Sequence, residues 1–190
     1  VDEPITDGES GVFSFYCGYN RSVVDQALKG RFDFLDALMF GDHCVQLLGT
    51  ADVVRWNRPE LKILFNQLIS SMNADWAFDE TRGAFVQLRK ELDQLLGTAV
   101  TDDNLRDSFA LFNRSRGLMR RLYDLRKVGR LAISARDMQH IIKSSMVMDR
   151  ADHTALLEQM VAQVEAGAIP ASKAMPIYLS GHLCQAPKLE

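Results

Sequence analysis

Three cysteines, Cys17, Cys44 and Cys184, are the residues of this chain best suited to do chemistry. A thiolate is both a nucleophile and a soft metal ligand. Cys17 and Cys44 each follow an apolar run and precede a helical pattern, in the order strand, Cys17, helix, strand, Cys44, helix. A strand–helix–strand crossover makes its two strands parallel. If the strands at residues 12–16 and 34–40 pair directly, both thiols project from one carboxyl edge of a sheet, where open α/β folds bind ligands. Each then also sits near a helix N-terminus, whose partial positive charge favours thiolate. Two thiolates held close at such an edge suit a metal or an iron–sulfur group. The competing reading is plainer: free cysteine often only fills space in a core, and no compact CxxC motif is present.

The positioning elements follow from local signals. Residues 12–16 are aromatic and apolar, as strands tend to be. Ser22 is the expected N-cap of a helix over 23–29, with Gly30 at its C′ position. The nearly continuous apolar run 34–40 suits a strand covered on both faces. Asp42 is expected to cap the next helix, which carries Val45, Leu47, Leu48, Val53 and Val54. Residues 55–60, with Asn57 and Pro59, mark a loop. Residues 61–69 read as a third strand or a buried helix, and the continuation of βα units favours the strand.

Beyond residue 74 the periodicity turns helical. Helices are expected over 84–96 up to Gly97, from a Thr101 cap through Lys127 up to Gly129, and over 135–148 after Ser134 and Asp137. A last helix opens at Asp149 or Asp152 and closes at Gly167. Residues 168–174 read as a linker. Residues 175–180 read as a strand, followed by Gly181, His182 and Cys184. The expected fold class is α/β: a small parallel Rossmann-like or flavodoxin-like βα unit (1–73) and a helical region of about four helices (74–167). The first strand of a second, truncated α/β unit (175–190) follows.

Composition narrows the classes. The 190 residues carry a net charge of −3 with interleaved signs, which gives no basic face for nucleic acid. No apolar run reaches a membrane span, and the polar, acidic first ten residues lack a signal-peptide pattern. An odd number of cysteines suits a reducing cytoplasm better than a disulfide framework. The absence of an initiating methionine, and a Lys188-Leu189-Glu190 ending that resembles a cloning remnant, suggest an excised piece of a longer protein.

The segments CGYNRS at Cys17, GDHC ending at Cys44, an N-R-x-R segment in the helical region and YLSGHLCQAP near the end occur in an order that resembles the benzoyl-CoA reductase and 2-hydroxyacyl-CoA dehydratase family. The resemblance spans nearly the whole chain. It implies a cytoplasmic subunit with an oxygen-sensitive [4Fe–4S] cluster held by three cysteines, of which Cys17 and Cys44 are the first two. The third family ligand is expected beyond Glu190. It further implies a related second cluster-bearing subunit, an acyl-CoA substrate, and a separate ATP-hydrolysing iron–sulfur activator that supplies single electrons. Benzoyl-CoA reduction in anaerobic aromatic degradation is the preferred reaction, and dehydration of a 2-hydroxyacyl-CoA the alternative. A reading of another class is a cluster-free helical accessory module with structural cysteines.

The remaining site candidates stand beside plainer roles. Cys184 is a third ligand or an ordinary loop cysteine. His43, next to Cys44, is a hydrogen-bond donor to sulfur, a proton donor to substrate, or a satisfied polar residue at a strand end. Arg21 and Ser22 are a subsite for an anion such as a coenzyme A phosphate, or simply a solvated cation and a cap. Arg114, Arg116, Arg120 and Arg121 form a basic helix segment for phosphates or a partner, or a solvated face. No GxGxxG, Walker loop, HExxH or GxSxG occurs, so ATP chemistry is expected to come from another protein.

Overall fold

The structure is a computed structural model and describes residues 4–12, 14–71 and 73–171. The strand expected at 175–180 and Cys184 lie outside the described residues. The chain divides into two compact units, Val1–Val100 and Thr101–Glu190.

The first unit is built on a parallel strand–helix–strand crossover. Strand β1 (Ala37–Gly41) leads into helix α3 (Val45–Asn57), and α3 returns the chain to strand β2 (Lys62–Asn66). The strands pair in parallel, with Leu38 opposite Ile63 and Phe40 opposite Phe65. Residues two apart on a strand share a face. Leu38, Phe40, Ile63 and Phe65 therefore form one apolar face, against which Leu47 and Ala51 of α3 pack. Helix α2 (Gly18–Leu28) lies beside α3 and contributes Val23 to this cluster and Val24 and Ala27 to the neighbouring one. The strand reading of 61–69 thus holds, over a shorter span.

Several expectations in this unit are corrected. Residues 12–16 form no strand among the described residues. They follow a one-turn helix, α1 (Gly8–Gly11), as a turn from which Val12 and Tyr16 reach one apolar cluster. The apolar content of this run serves packing rather than pairing, and β1 pairs with β2 instead. Helix α2 begins earlier than expected, with Cys17 as its N-cap, so Ser22 is a buried interior residue and no cap. Asp42 does not cap α3: its backbone N–H bonds Asn66 O at the sheet edge, and the chain runs on two residues before the helix starts, which puts Cys44 at the N-cap position without a side-chain capping bond. Finally, β1 is covered on one face only, since Met39 on the other is 60% exposed. A continuous apolar run does not by itself distinguish one buried face from two.

A buried carboxylate locks α1 to α2. Asp25 Oδ1 accepts the backbone N–H groups of Thr6, Asp7 and Gly8 at 2.9, 2.8 and 3.0 Å. Its Oδ2 accepts Lys29 Nζ at 2.7 Å and Gln26 Nε2 at 3.2 Å. The approach is so close that a Cβ on Gly8 would meet the Arg21 carbonyl oxygen at 2.6 Å, so only glycine fits there. Gly30 adopts φ +70° after α2, as its C′ position requires. Arg58, at the C-cap of α3, bonds the Ala27 carbonyl, Asp33 and Glu60, and so ties the end of α2 to the loop before β1. Helix α4 (Ala77–Leu96) lies against β2 and ends at Gly97, φ +66°. It starts about two turns before the expected residue 84, with Asp79 and Glu80 in a first turn that favours acids.

The second unit holds α5 (Asp102–Lys127), α6 (Ala135–Val147) and α7 (Arg150–Glu165), close to their expected spans. Thr101 caps α5 in a capping box with Asn104. Thr101→Ala is expected to cost about 1 kcal/mol, read as a lower midpoint in thermal unfolding. Ser134 Oγ accepts the Asp137 N–H at 3.0 Å and donates to Asp137 Oδ2 at 2.8 Å, so aspartate closes this box on the hydroxyl rather than on backbone. Arg114 pairs with Glu158 and Arg121 with Glu165. Both partners advance together along their helices, so α5 and α7 run parallel, with α6 as the return. Leu122, Leu125, Leu131, Met138, Leu157, Val161 and Val164 form the core between them.

Candidate functional site

The carboxyl ends of β1 and β2 and the first turns of α2 and α3 converge. After Gly41, the Asp42 N–H bonds Asn66 O at 3.0 Å, and the chain turns through His43 to Cys44. Cys44 is the N-cap of α3, in extended backbone (φ −152°, ψ 127°). Cys17 reaches the same place by a different route than a strand end: it is the N-cap of α2, also extended (φ −62°, ψ 153°). Its backbone N–H donates to Gln46 Oε1 at 2.9 Å, and Gln46 lies in the first turn of α3. Both cysteines thus stand at the N-terminal ends of adjoining helices.

The thiols themselves are uncommitted. Neither makes a side-chain capping bond, and both are free cysteines. Cys17 is exposed; Cys44 is half-buried and touches the cluster around Phe40. An N-cap side chain normally accepts an orphan N–H of the first turn, and serine, threonine, aspartate and asparagine do so best. Cysteine at both N-caps, with no side-chain capping bond, places each thiol at the positive end of its helix dipole.

Buried polar groups surround the pair. Asn20 is 2% exposed; its Nδ2 donates to Gln46 Oε1 at 3.2 Å, and its Oδ1 has no hydrogen-bond partner. Asn66 and Ser22 are likewise buried with an oxygen unpartnered. His43 is exposed beside Cys44. Ser22 lies inside α2 and Arg21 one turn past its cap, so the structure gives them no cap-type anion geometry. Of the four candidate arginines at 114–121 on α5, Arg114 and Arg121 are held by α7 glutamates. Arg116 bonds Asn113 and lies over the Phe112 ring, while Arg120 is exposed. Gln46, Asn20 and Asn66 escape a reading of the sequence; the one available signal is a polar residue two or three positions after a candidate ligand, in a helix first turn, which covers Gln46 and Asn20 but not Asn66.

Comparison with known proteins settles the kinship. The family model for the 2-hydroxyglutaryl-CoA dehydratase D-component matches residues 1–190. The chain belongs to that family. It is 22% identical over 185 residues to one of the subunits of the benzoyl-CoA reductase of Thauera aromatica, covering 97% of this chain and 48% of that one. It is 21% identical over 179 residues to the lactoyl-CoA dehydratase beta subunit of Anaerotignum propionicum, covering 90% and 45%. With the (R)-phenyllactyl-CoA dehydratase beta subunit of Clostridium sporogenes it shares 18% over 153 residues, covering 80% and 41%. The chain spans about half the length of the curated relatives it matches. These relatives are named as reductase and dehydratase subunits.

Among the described residues no group of three or more His, Cys, Asp or Glu side chains gathers as a metal site. Among the same residues no helix is long and apolar enough to cross a membrane.

Proposed function

We propose that this chain is the cluster-bearing portion of a substrate-side subunit acting on acyl-CoA thioesters, with Cys17 and Cys44 as two thiolate ligands of a [4Fe–4S] cluster. The observation that carries this is the pair of non-capping cysteines at two adjoining helix N-termini. Thiolate ligation of iron requires free sulfur, local positive potential and room. The donor set fits half of a cluster, and the remaining ligands come from outside the described residues, with Cys184 one candidate. When bound, such a cluster supplies one-electron transfer at low potential.

The protein's own residues orient and shield. Gln46 and Asn20 hold the two helix ends together. Phe15, Tyr19, Val45 and Leu48 expose apolar surface around the thiols, which a partner subunit would cover to exclude water. His43, exposed beside Cys44, is placed to exchange a proton with a substrate held at this edge. A related second subunit and an ATP-hydrolysing activator complete the system. Benzoyl-CoA reduction remains the first candidate reaction. Dehydration of a 2-hydroxyacyl-CoA is the second, and the two dehydratase relatives are what favour it.

The test uses the full-length protein, purified without oxygen and assayed for iron and acid-labile sulfide. Roughly four iron per subunit is expected. Colourless, iron-free protein would instead establish the accessory-module reading. With the cluster present, incubation with partner, activator, ATP and each thioester in turn separates reductase from dehydratase by the product formed.

A further inference from the structure

One side-chain oxygen joins the two thiol-bearing helix ends. Gln46 stands two residues after Cys44, and its Oε1 accepts both the Cys17 backbone N–H (2.9 Å) and Asn20 Nδ2 (3.2 Å). Both partners are N–H donors, so the amide orientation of Gln46 is fixed: the oxygen must face α2. Asn20 is 2% exposed, so losing its acceptor would strand a buried N–H group. A second contact lies one turn further along the same face of α3. A Cβ built at Gly49 would overlap Tyr16 Oη, so the residue before Cys17 seats against bare α3 backbone. Residues three apart on a helix share a face. Gln46 and Gly49 thus receive Tyr16, Cys17 and Asn20 as one docking strip.

We infer that Gln46 is a positioning residue that sets the spacing of Cys17 and Cys44, acting through its acceptor oxygen at the N-cap of α2. This rests on the reading that the two thiols work as a pair, and it names what pairs them. Sequence separation cannot hold them, because Cys17 and Cys44 lie on different helices with β1 between. Backbone strand pairing does not hold them either, since the run before Cys17 is not a strand. The Gln46 hydrogen bond is a direct polar link between the two N-terminal turns. It bonds the backbone of Cys17 itself, so it fixes the origin of that side chain and not merely the helix that carries it.

The test reads thiol proximity in metal-free protein. In the 190-residue chain carrying Cys184→Ser, only Cys17 and Cys44 remain as thiols. Dibromobimane, which becomes fluorescent when it bridges two nearby thiols, is expected to cross-link them. Gln46→Leu removes the acceptor at similar size and is expected to slow bridging about tenfold, because misplacement by about an ångström weakens a proximity-driven reaction steeply. Single-thiol labelling by monobromobimane should stay within about twofold, since neither thiol becomes more or less accessible. Gln46→Glu keeps an acceptor oxygen at the same reach and is expected to restore bridging. If Gln46→Leu does not fold, Gln46→Asn, one methylene shorter, is expected to show the same slowing.

Bridging by Gln46→Leu or by folded Gln46→Asn at the parent rate would overturn the inference. So would a failure of Gln46→Glu to restore it, or no bridging in the parent chain. The assay needs no iron. Gln46-dependent bridging in a protein whose full-length form is iron-free would leave the spacing role standing and sink the cluster. Iron-replete full-length protein with Gln46-independent bridging would do the reverse.

Discussion

Replacing Asp25 with asparagine is expected to destabilise the first unit by about 3 kcal/mol at neutral pH. Asp25 is fully buried, and burial alone would push its carboxyl up. The Lys29 ammonium and the backbone N–H groups of Gly8, Thr6 and Asp7 more than offset that and hold it well below the usual carboxylate range. Asparagine can still accept from one side, but its amino group would then face Lys29 Nζ. The variant leaves the partly buried Lys29 ammonium without its carboxylate and loosens α1 from α2. The sign with pH follows. The folded-state pKa is depressed, so the stabilisation is complete above the unfolded carboxylate value of about 3.9 and drains away as pH falls below it. Chemical denaturation of both proteins should give a constant difference from pH 7 to about 5 that narrows below about pH 4. A difference that stays flat down to about pH 3 would show that folding does not shift this carboxyl, and one that grows on acidification would show that folding raises its pKa; either would overturn the depressed-carboxyl account.

That lock is invisible in the sequence for a physical reason. Asp25 looks like an ordinary helical acid four residues before Lys29, a spacing that usually means a weak surface pair. Its value comes from three backbone N–H groups delivered by residues 6–8, a tertiary fact with no local signature. The helices are legible where local chemistry decides them: Thr101, Ser134 and Asp149 cap α5, α6 and α7, and Gly30, Gly97 and Gly167 take positive φ after their helices. The strand at 62–66 is legible by analogy to repeated βα units. The run at 12–16 is not, because aromatic and apolar composition fits a packed turn as well as a strand. Reading it as a strand also shifts the cap of α2, from Cys17 to Ser22. At the site, the residue types are readable and the link between them is not: Gln46 joins two helix ends across a strand, and no spacing rule reports such a bond.

Cysteine at two N-caps costs the fold something, and this yields an expectation of opposite signs. Neither thiol caps its helix, so Cys17→Ser and Cys44→Ser each place a good capping hydroxyl where none acts now. Cys17 is exposed, so serine there loses no packing and should stabilise the metal-free chain by about 0.5–1 kcal/mol. Cys44 is half-buried against the Phe40 cluster, so the gain at that position is offset by lost apolar contact and should come out near zero. In the full-length protein the same two substitutions are each expected to abolish the visible absorption of the cluster and drop bound iron to background, because a neutral hydroxyl does not replace thiolate on iron. Thermal unfolding of the chain and iron analysis of the full-length protein together read both signs. A purely structural cysteine behaves in the opposite way: serine destabilises and iron is unchanged. A residue that weakens its own helix cap yet cannot be exchanged without losing metal is held in place by function, and at Cys17 the two effects separate most cleanly.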